Sequence, residues 1–338
     1  MNIIKTECER AQEALWQMFF NQEKGVMDNH CPVRKEENWI YWWHAHALDV
    51  LLDGFVRQPD GPYRERFRAE YEGAFRENGN TFLHNWYDDM EWMALALLRA
   101  FDIFGEDCYK EQVLVIWEDI KTAWNDSCGG GMAWKKDQPD YKNTPANAPA
   151  AILAFRLYER FGRKEDFEWG KRIFEWNRDH LMDPETCFIW DGMNREGDGK
   201  IDKDWKFTYC QGVMLGAALE YYRITGEKEK LVLAGKIARR AVAELTGEDG
   251  IFNEEGPDDC GLFRGIYFRY LYELIAEDAK NCEDLKELVI KNANAAGQAM
   301  REDGLIGKDW RKKQIGEIDL AQHLSGVMVL EMAEKLGA

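Results

Sequence analysis

Two consecutive carboxylates, Asp88 and Asp89, follow the aromatic pair Trp86-Tyr87 and precede an apolar run that predicts a helix. Paired carboxylates can act as acid, base and nucleophile on a glycosidic bond, and aromatic rings offer apolar faces on which a sugar ring can lie. Aspartate is also favoured at the start of any helix, because it caps free N–H groups and faces the positive end of the helix dipole. Taken alone, these residues favour a helix cap, so the rest of the chain must decide whether they also do chemistry.

The composition limits the classes of partner. The chain has 338 residues, of which 45% are hydrophobic, and this is enough for a large packed core. It carries 44 Lys and Arg against 62 Asp and Glu, for a net charge of -18. Such a surface repels nucleic acid and anionic membrane, so we expect neither as a partner and expect a neutral ligand instead.

Targeting and cysteine patterns point to a cytoplasmic protein without a metal or cofactor. The first residues show no basic start followed by an apolar stretch, and no apolar run is long enough to span a bilayer. The eight cysteines are scattered and form no CxxC motif, nor a zinc-like spacing with the six histidines. We therefore expect free thiols, no metal site and no cofactor, and leave the oligomeric state open.

Apolar residues recur with helical periodicity along the whole chain, and no segment shows convincing strand alternation. Glycine commonly follows the predicted helix ends, as expected of a C-cap. The pattern predicts twelve helices, near residues 5–21, 39–57, 63–78, 88–104, 107–125, 145–161, 165–181, 208–225, 228–246, 262–278, 282–301 and 318–336.

The predicted helices alternate between two classes. Those at odd positions are amphipathic, whereas those at even positions are apolar nearly all round, as in segments 93–98 and 212–219. A helix that is apolar all round must be enclosed by other helices. Six enclosed helices alternating with six half-exposed ones predict an all-α (α/α)6 barrel, a toroid of six inner and six outer helices, formed as one domain over residues 1–338.

Long connections precede several of the inner helices, at residues 126–144, 182–207, 247–261 and 302–317. They should meet at one end of the barrel, and long loops in a compact domain usually carry function. Polar and aromatic side chains are concentrated there and at the helix starts. As substrate-binding candidates we therefore take Trp42, Tyr87, Trp134, Lys136, Asn143, Asn147, Tyr209, Gln211, Asp259 and Arg264.

Several short motifs recur in an order that resembles one known family. The Asp-Asp pair is followed by Trp-x-Ala-Leu-Ala at 88–96, and Gly-Gly-Gly-x-x-Trp and Tyr-Lys-Asn-x-x-x-Asn follow within 129–147. Thr-Tyr-x-Gln-Gly stands at 208–212, and Phe-Arg-Gly-Ile at 263–266 comes four residues after Asp259. Each block is weak alone, but together they are similar to glycoside hydrolase family 76, the endo-α-1,6-mannanases.

The resemblance implies a single (α/α)6 barrel, which agrees with the helix pattern, and a retaining hydrolysis of α-1,6-mannosidic or related α-linked oligosaccharides. It implies that Asp88 is the nucleophile and Asp89 the general acid/base. The substrate would be a neutral oligosaccharide.

Other functions on the same barrel stay open at this point. A 2-epimerase-like isomerase would place histidines at inner-helix starts, where only His44 and His46 are near. An unsaturated-uronide hydrolase would need a basic cleft, which the acidic loops disfavour. A non-catalytic helical scaffold would show no converging acids.

Overall fold

The computed structural model describes residues 3–35 and 38–338. All twelve predicted helices are confirmed within those residues. They are α1 (Ile3–Phe19), α2 (Tyr41–Arg57), α3 (Tyr63–Glu77), α4 (Tyr87–Phe104), α5 (Asp107–Ile120), α6 (Thr144–Phe161), α7 (Lys164–Leu181), α8 (Thr208–Thr225), α9 (Lys228–Leu245), α10 (Cys260–Glu277), α11 (Glu283–Ala299) and α12 (Leu320–Lys335).

The prediction that the chain has no strands was wrong. The described part of the chain contains seven short strands in its loops: β1 (Phe20–Asn21), β2 (Val26–Met27), β3 (His30–Cys31), β4 (Ala133–Lys135), β5 (Gln138–Asn143), β6 (Gly192–Met193) and β7 (Ile318–Asp319). β1 pairs with β2, β3 with β7, and β5 lies between β4 and β6. Strands of two to six residues are too short to show alternation, and two of the four pairings, β3 with β7 and β5 with β6, join loops that are distant in sequence.

The chain divides into two compact units. The first comprises Met1–Phe82, Thr246–Tyr272 and Glu283–Ala338, and the second comprises Leu83–Leu245 and Glu273–Cys282. A single domain over residues 1–338 stays a prediction. No helix among residues 3–35 and 38–338 is long and apolar enough to cross a bilayer.

The second unit shows the alternation that the sequence predicts. α6 packs against both α4 and α8, and these three helices are buried along most of their length. α5, α7 and α9 pack mainly against α4, α6 and α8, respectively, and bury only one face. Because a helix that is buried all round cannot carry exposed charges, the chemistry of this unit must lie at the helix ends and in the loops.

In the first unit, α12 is a helix that is enclosed by other helices. This helix is buried at every residue from Leu320 to Ala333 and packs against α1, α2 and α11. α10 approaches it closely at Gly265, whose N–H donates to Ser325 Oγ at 2.8 Å. A Cβ at Gly265 would meet the Ser325 backbone at 2.7 Å, so only glycine permits this approach.

The long loops meet within each unit. In the second unit, β4 and β5 from the loop before α6 pair with β6 from the loop before α8, and a bridge joins Trp86 to Lys135. In the first unit, Arg311 donates to the Ile251 carbonyl at 2.7 Å and to Asp249 at 2.9 Å, which ties the loops before α10 and α12 together.

Candidate active site

Asp88 and Asp89 are the second and third residues of α4, and both are half-buried. Asp88 Oδ1 accepts the Asp89 N–H at 3.0 Å, and Asp88 Oδ2 accepts the Trp134 indole N–H at 2.9 Å. Two donors together with the positive end of the helix dipole favour a negative charge at Asp88. The first carboxylate is thus oriented and stabilised as an anion.

Trp134 is brought to Asp88 by the glycine turn before β4. Gly130 and Gly131 have φ angles of +125° and +87°, and a Cβ on Gly131 would meet the Trp176 ring at 2.7 Å. Glycine is required here both for the backbone conformation and for the space. The Lys142 ammonium, which is buried, donates to the Gly131 carbonyl at 2.9 Å and closes the turn.

His84 lies beside the second carboxylate. Its Nδ1 is 3.2 Å from Asp89 Oδ2, and its ring lies tilted by 31° against the Trp86 ring, with centroids 5.0 Å apart. Burial, and then the positive charge of Lys136, lowers the pKa of His84 below its usual value of 6.5. An uncharged imidazole therefore faces Asp89 at neutral pH. No sequence motif surrounds this histidine, and only the fold reveals its contact with Asp89.

Glu91 adds a third carboxyl one helical turn after Asp88. It is fully buried. Burial raises its pKa well above the usual value of 4.5, and the negative charges of Asp88 and Asp89 act in the same direction. The Ala150 N–H on α6 opposes this effect, although neither Glu91 oxygen makes a hydrogen bond of normal geometry to the described residues. Burial and the two neighbouring negative charges thus favour the neutral form of the Glu91 carboxyl.

Asp191 is a buried carboxylate that the sequence reasoning missed. Its Oδ1 accepts the Tyr209 hydroxyl at 2.8 Å and the Cys210 thiol at 3.5 Å, and its Oδ2 accepts the Tyr141 hydroxyl at 3.1 Å. Burial raises the pKa of Asp191, and the three hydrogen bonds oppose the rise. It follows Trp190 in a long loop without any motif of its own, so its partners become visible only when the loops pair.

Two predicted substrate-binding residues hold loop backbone. Asn147 accepts the Met132 N–H at 2.8 Å and donates to the Met132 carbonyl at 3.2 Å. Gln211 likewise accepts the Ile189 N–H at 2.9 Å and donates to the Ile189 carbonyl at 2.7 Å. Both side chains are fully buried, so the structure gives them a positioning role, and contact with a sugar stays a prediction.

Asn143 differs from these two. It is the residue before α6 and is 4% exposed, yet its Oδ1 makes no hydrogen bond to any residue that the structure describes. A buried acceptor without a partner costs free energy, which a ligand hydroxyl would recover. Of the predicted amides in this unit, Asn143 is the best placed to bind a substrate.

Tyr87 and Lys136 face α5 and the residues that follow it. The Tyr87 hydroxyl is 3.1 Å from Thr122 Oγ1, and the Lys136 ammonium is 2.7 Å from the Asp119 carboxylate. Tyr87 is buried, whereas Lys136 is exposed. Sugar binding by these two residues and by Tyr209, whose hydroxyl is held by Asp191, stays a prediction.

The first unit holds the remaining predicted residues. Asp259 Oδ1 accepts two indole N–H groups, from Trp42 and Trp43, each at 2.9 Å. Arg264 is buried and donates to the backbone carbonyls of Phe252 and Lys308 rather than to a carboxylate. Burial lowers the pKa of Arg264 to about 10. Trp42 and Asp259 thus form one cluster, and Arg264 fixes the loops beside it.

Residues 3–35 and 38–338 contain no group of three or more His, Cys, Asp or Glu side chains placed to hold a metal ion.

The family model for glycosyl hydrolase family 76 matches residues 4–335 of the sequence. The chain belongs to this family. It is similar to the α-1,6-mannanase of Salegentibacter sp., with 38% identity and a TM-score of 0.93 over 98% of this chain and 99% of that one. It is also similar to a protein of Listeria innocua, with 38% identity and a TM-score of 0.94 over 100% and 98% of the two chains. An inactive variant of the Salegentibacter mannanase, in which two consecutive aspartates are replaced by asparagine, was solved in complex with α-1,6-mannotriose.

A more distant relative is the mannan endo-1,6-α-mannosidase of Candida glabrata, which is 23% identical over 80% of this chain. The chain spans 65% of the length of that relative. The family structures have the (α/α)6 barrel fold, so the predicted fold class is confirmed.

Proposed function

We propose that this chain hydrolyses α-1,6-mannosidic bonds in neutral oligosaccharides, with Asp88 as nucleophile and Asp89 as general acid/base. The observation that carries the proposal is the consecutive pair at the start of α4, with the Trp134 N–H holding Asp88. The solved relatives support it, because one of them is an α-1,6-mannanase and its inactive variant lacks two consecutive aspartates.

The proposed reaction has two steps. Asp89 first donates its proton to the glycosidic oxygen while the Asp88 carboxylate attacks the anomeric carbon, so the carbon–oxygen bond breaks and a glycosyl ester forms. A water molecule then gives its proton to Asp89 and attacks the same carbon, which releases the sugar and restores the Asp88 carboxylate. Two inversions leave the anomeric configuration unchanged.

The surroundings of the pair suit these two roles. Asp88 must be ionised to attack, and the helix start and the Trp134 N–H both stabilise its anion. Asp89 must hold a proton, and a charged histidine beside it would oppose this. Because burial keeps His84 uncharged at neutral pH, the contact leaves Asp89 able to act as an acid.

The test is a panel of mannobioses and mannotetraoses with α-1,2, α-1,3 or α-1,6 linkages, with separation of the products. We expect hydrolysis of the α-1,6 compounds and little or none of the others. If the chain prefers another linkage, or cleaves none of them, the proposed activity is wrong.

Stereochemistry tests the mechanism separately. Proton NMR recorded before mutarotation should show the α-anomer as the first product of an α-1,6 mannoside, since the double displacement retains configuration. If the β-anomer forms first, Asp88 is not a nucleophile and a more distant base must activate water.

Cytoplasmic location stays a prediction of the sequence.

A further inference from the structure

Asp191 is a buried carboxylate of the second unit that is held by side chains from two other elements. It is 3% exposed, and its two oxygens receive three side-chain donors from β5 and α8. Neither Lys nor Arg pairs with it among the residues that the structure describes. A buried carboxylate without a cation costs free energy, and these hydrogen bonds offset it only while both tyrosine hydroxyls point inward.

One of those tyrosines leads to the proposed nucleophile. The Tyr141 hydroxyl donates to Asp191, and its ring meets the Trp134 ring edge-on, with centroids 5.7 Å apart and an interplanar angle of 88°. Trp134 in turn donates its indole N–H to Asp88 at 2.9 Å. Tyr141 is buried whereas Trp134 is only half-buried, so the tyrosine ring is a fixed wall for a less constrained indole.

We propose that Asp191 is a positioning residue for the nucleophile: by holding Tyr141 it keeps the Trp134 N–H on Asp88. The inference rests on the proposed function, because it concerns the ionised Asp88 carboxylate. Asp191 touches no reacting atom itself. Its effect is carried to the site through the Tyr141 and Trp134 rings.

The proposal has a consequence that simple loop anchoring lacks. A hydrogen bond to the ionised form of a carboxyl favours ionisation. If the Trp134 N–H is lost or misaligned, Asp88 takes up a proton at a higher pH. The acid limb of the kcat/KM–pH profile, where activity falls as Asp88 is protonated, then moves to higher pH. An anchor that only stabilised the loop would change thermal stability without moving this limb.

The experiment is kcat/KM against pH on α-1,6-mannotetraose for the unmodified chain and for Trp134→Phe, Tyr141→Phe and Asp191→Asn. Trp134→Phe removes the donor and should move the acid limb up by about one pH unit, which is a tenfold loss at a fixed acidic pH. Tyr141→Phe and Asp191→Asn should move it in the same direction, with a loss of about threefold at that pH.

A double variant tests whether the residues act in series. Once Trp134 is Phe, adding Tyr141→Phe should move the limb no further, because the bond that Tyr141 orients is already gone. Cys210→Ala is the matched control, since it removes a donor to the same carboxylate from α8, away from Trp134. It should lower the melting temperature and leave the acid limb in place.

The inference is overturned if Tyr141→Phe and Asp191→Asn lower stability but leave the acid limb unmoved, or if the two shifts add in the double variant. If Asp191→Asn fails to fold, Tyr141→Phe still decides, because it leaves the carboxylate in place.

A readout without turnover separates this inference from the proposed activity. The indole N–H resonance of Trp134, assigned with Trp134→Phe, should titrate with Asp88, and Tyr141→Phe should raise that midpoint even if no mannoside is cleaved. An unmoved midpoint overturns the inference.

Discussion

At the scale of single residues, Asp88 and Asp89 have two possible roles, capping α4 and catalysing hydrolysis. Measuring stability and activity in the same variants separates the two. Asp88 Oδ1 accepts the Asp89 N–H in the first turn of α4, as a local cap would. Asparagine keeps an acceptor oxygen of the same size, so Asp88→Asn and Asp89→Asn should each change the free energy of unfolding by less than about 1 kcal/mol. As nucleophile and acid/base, each should lose nearly all kcat. Thermal unfolding and product formation measure the two effects.

The adjacent pair Asp258–Asp259 supplies a control for the same chemical change. Asp258 is exposed, with a φ of +53°, and asparagine tolerates that conformation as well as aspartate does. Asp258→Asn should keep stability and most of the activity. Loss of stability with full activity in the Asp88 and Asp89 variants would mean that these residues are caps only.

The two asparagines at the start of α6 should behave in opposite ways. Asn147 makes three hydrogen bonds to loop backbone, so Asn147→Ala should cost about 2 to 3 kcal/mol of stability. Asn143 Oδ1 has no partner among the described residues, so Asn143→Ala should cost less than about 1 kcal/mol. If that oxygen accepts a sugar hydroxyl, Asn143→Ala should lower kcat/KM about tenfold. An unchanged kcat/KM would remove Asn143 from the substrate site.

At the scale of elements, the turn before β4 depends on Gly131. Alanine there would meet the Trp176 ring at 2.7 Å and adopt a φ of +87°. Gly131→Ala should therefore cost more than about 2 kcal/mol and lower kcat/KM, because β4 carries Trp134. Gly162→Ala is the control, since Gly162 has a φ of +67° with no atom within 4 Å of a Cβ. It should cost about 1 to 2 kcal/mol and leave kcat/KM unchanged. Equal losses in both variants would show that the packing against Trp176 is unimportant.

The start of α12 should make stability depend on pH. Asp319 caps this helix, with its Oδ1 accepting the Gln322 N–H at 2.7 Å, and burial raises the pKa of Asp319 to about 7. A raised pKa in the folded state means that stability is fully present below the ordinary value of 3.8 and is lost as pH rises towards 7. Relative to Asp319→Asn, the unmodified chain should lose up to about 1.4 kcal/mol per pH unit in that window.

Thermal unfolding between pH 4 and 8 measures this difference. Asp60→Asn, at an exposed position, should run parallel to the unmodified chain. If the unmodified chain and Asp319→Asn stay parallel instead, Asp319 is ionised throughout and its cap is an ordinary charged one.

The helices were predictable from the sequence and the strands were not, for the same physical reason. Periodicity is local, so runs such as 93–98 identify an enclosed helix without knowledge of its neighbours. β6 is only two residues long and exists because β5 pairs with it across about 50 residues of chain. The Asp88–Asp89 pair could be recognised in the sequence because its residues are adjacent and therefore form a local pattern. Asp191 was missed because its partners come from β5 and α8. His84 was missed because no motif marks it, although Asp89 is only five residues further along the chain.

At the scale of the whole molecule, the net charge of -18 predicts how the chain discriminates between substrates. A neutral mannotetraose is not steered by this field, so its kcat/KM should change less than about twofold between 20 and 500 mM salt. A phosphorylated α-1,6 mannoside of the same length should be cleaved more slowly at low salt, because the field repels it, and salt should recover part of the loss. Steady-state rates for both compounds at several salt concentrations measure this. A strong loss of neutral-substrate activity with salt would mean that charged groups contact the sugar directly, and would move Lys136 from a surface ion pair to a binding residue.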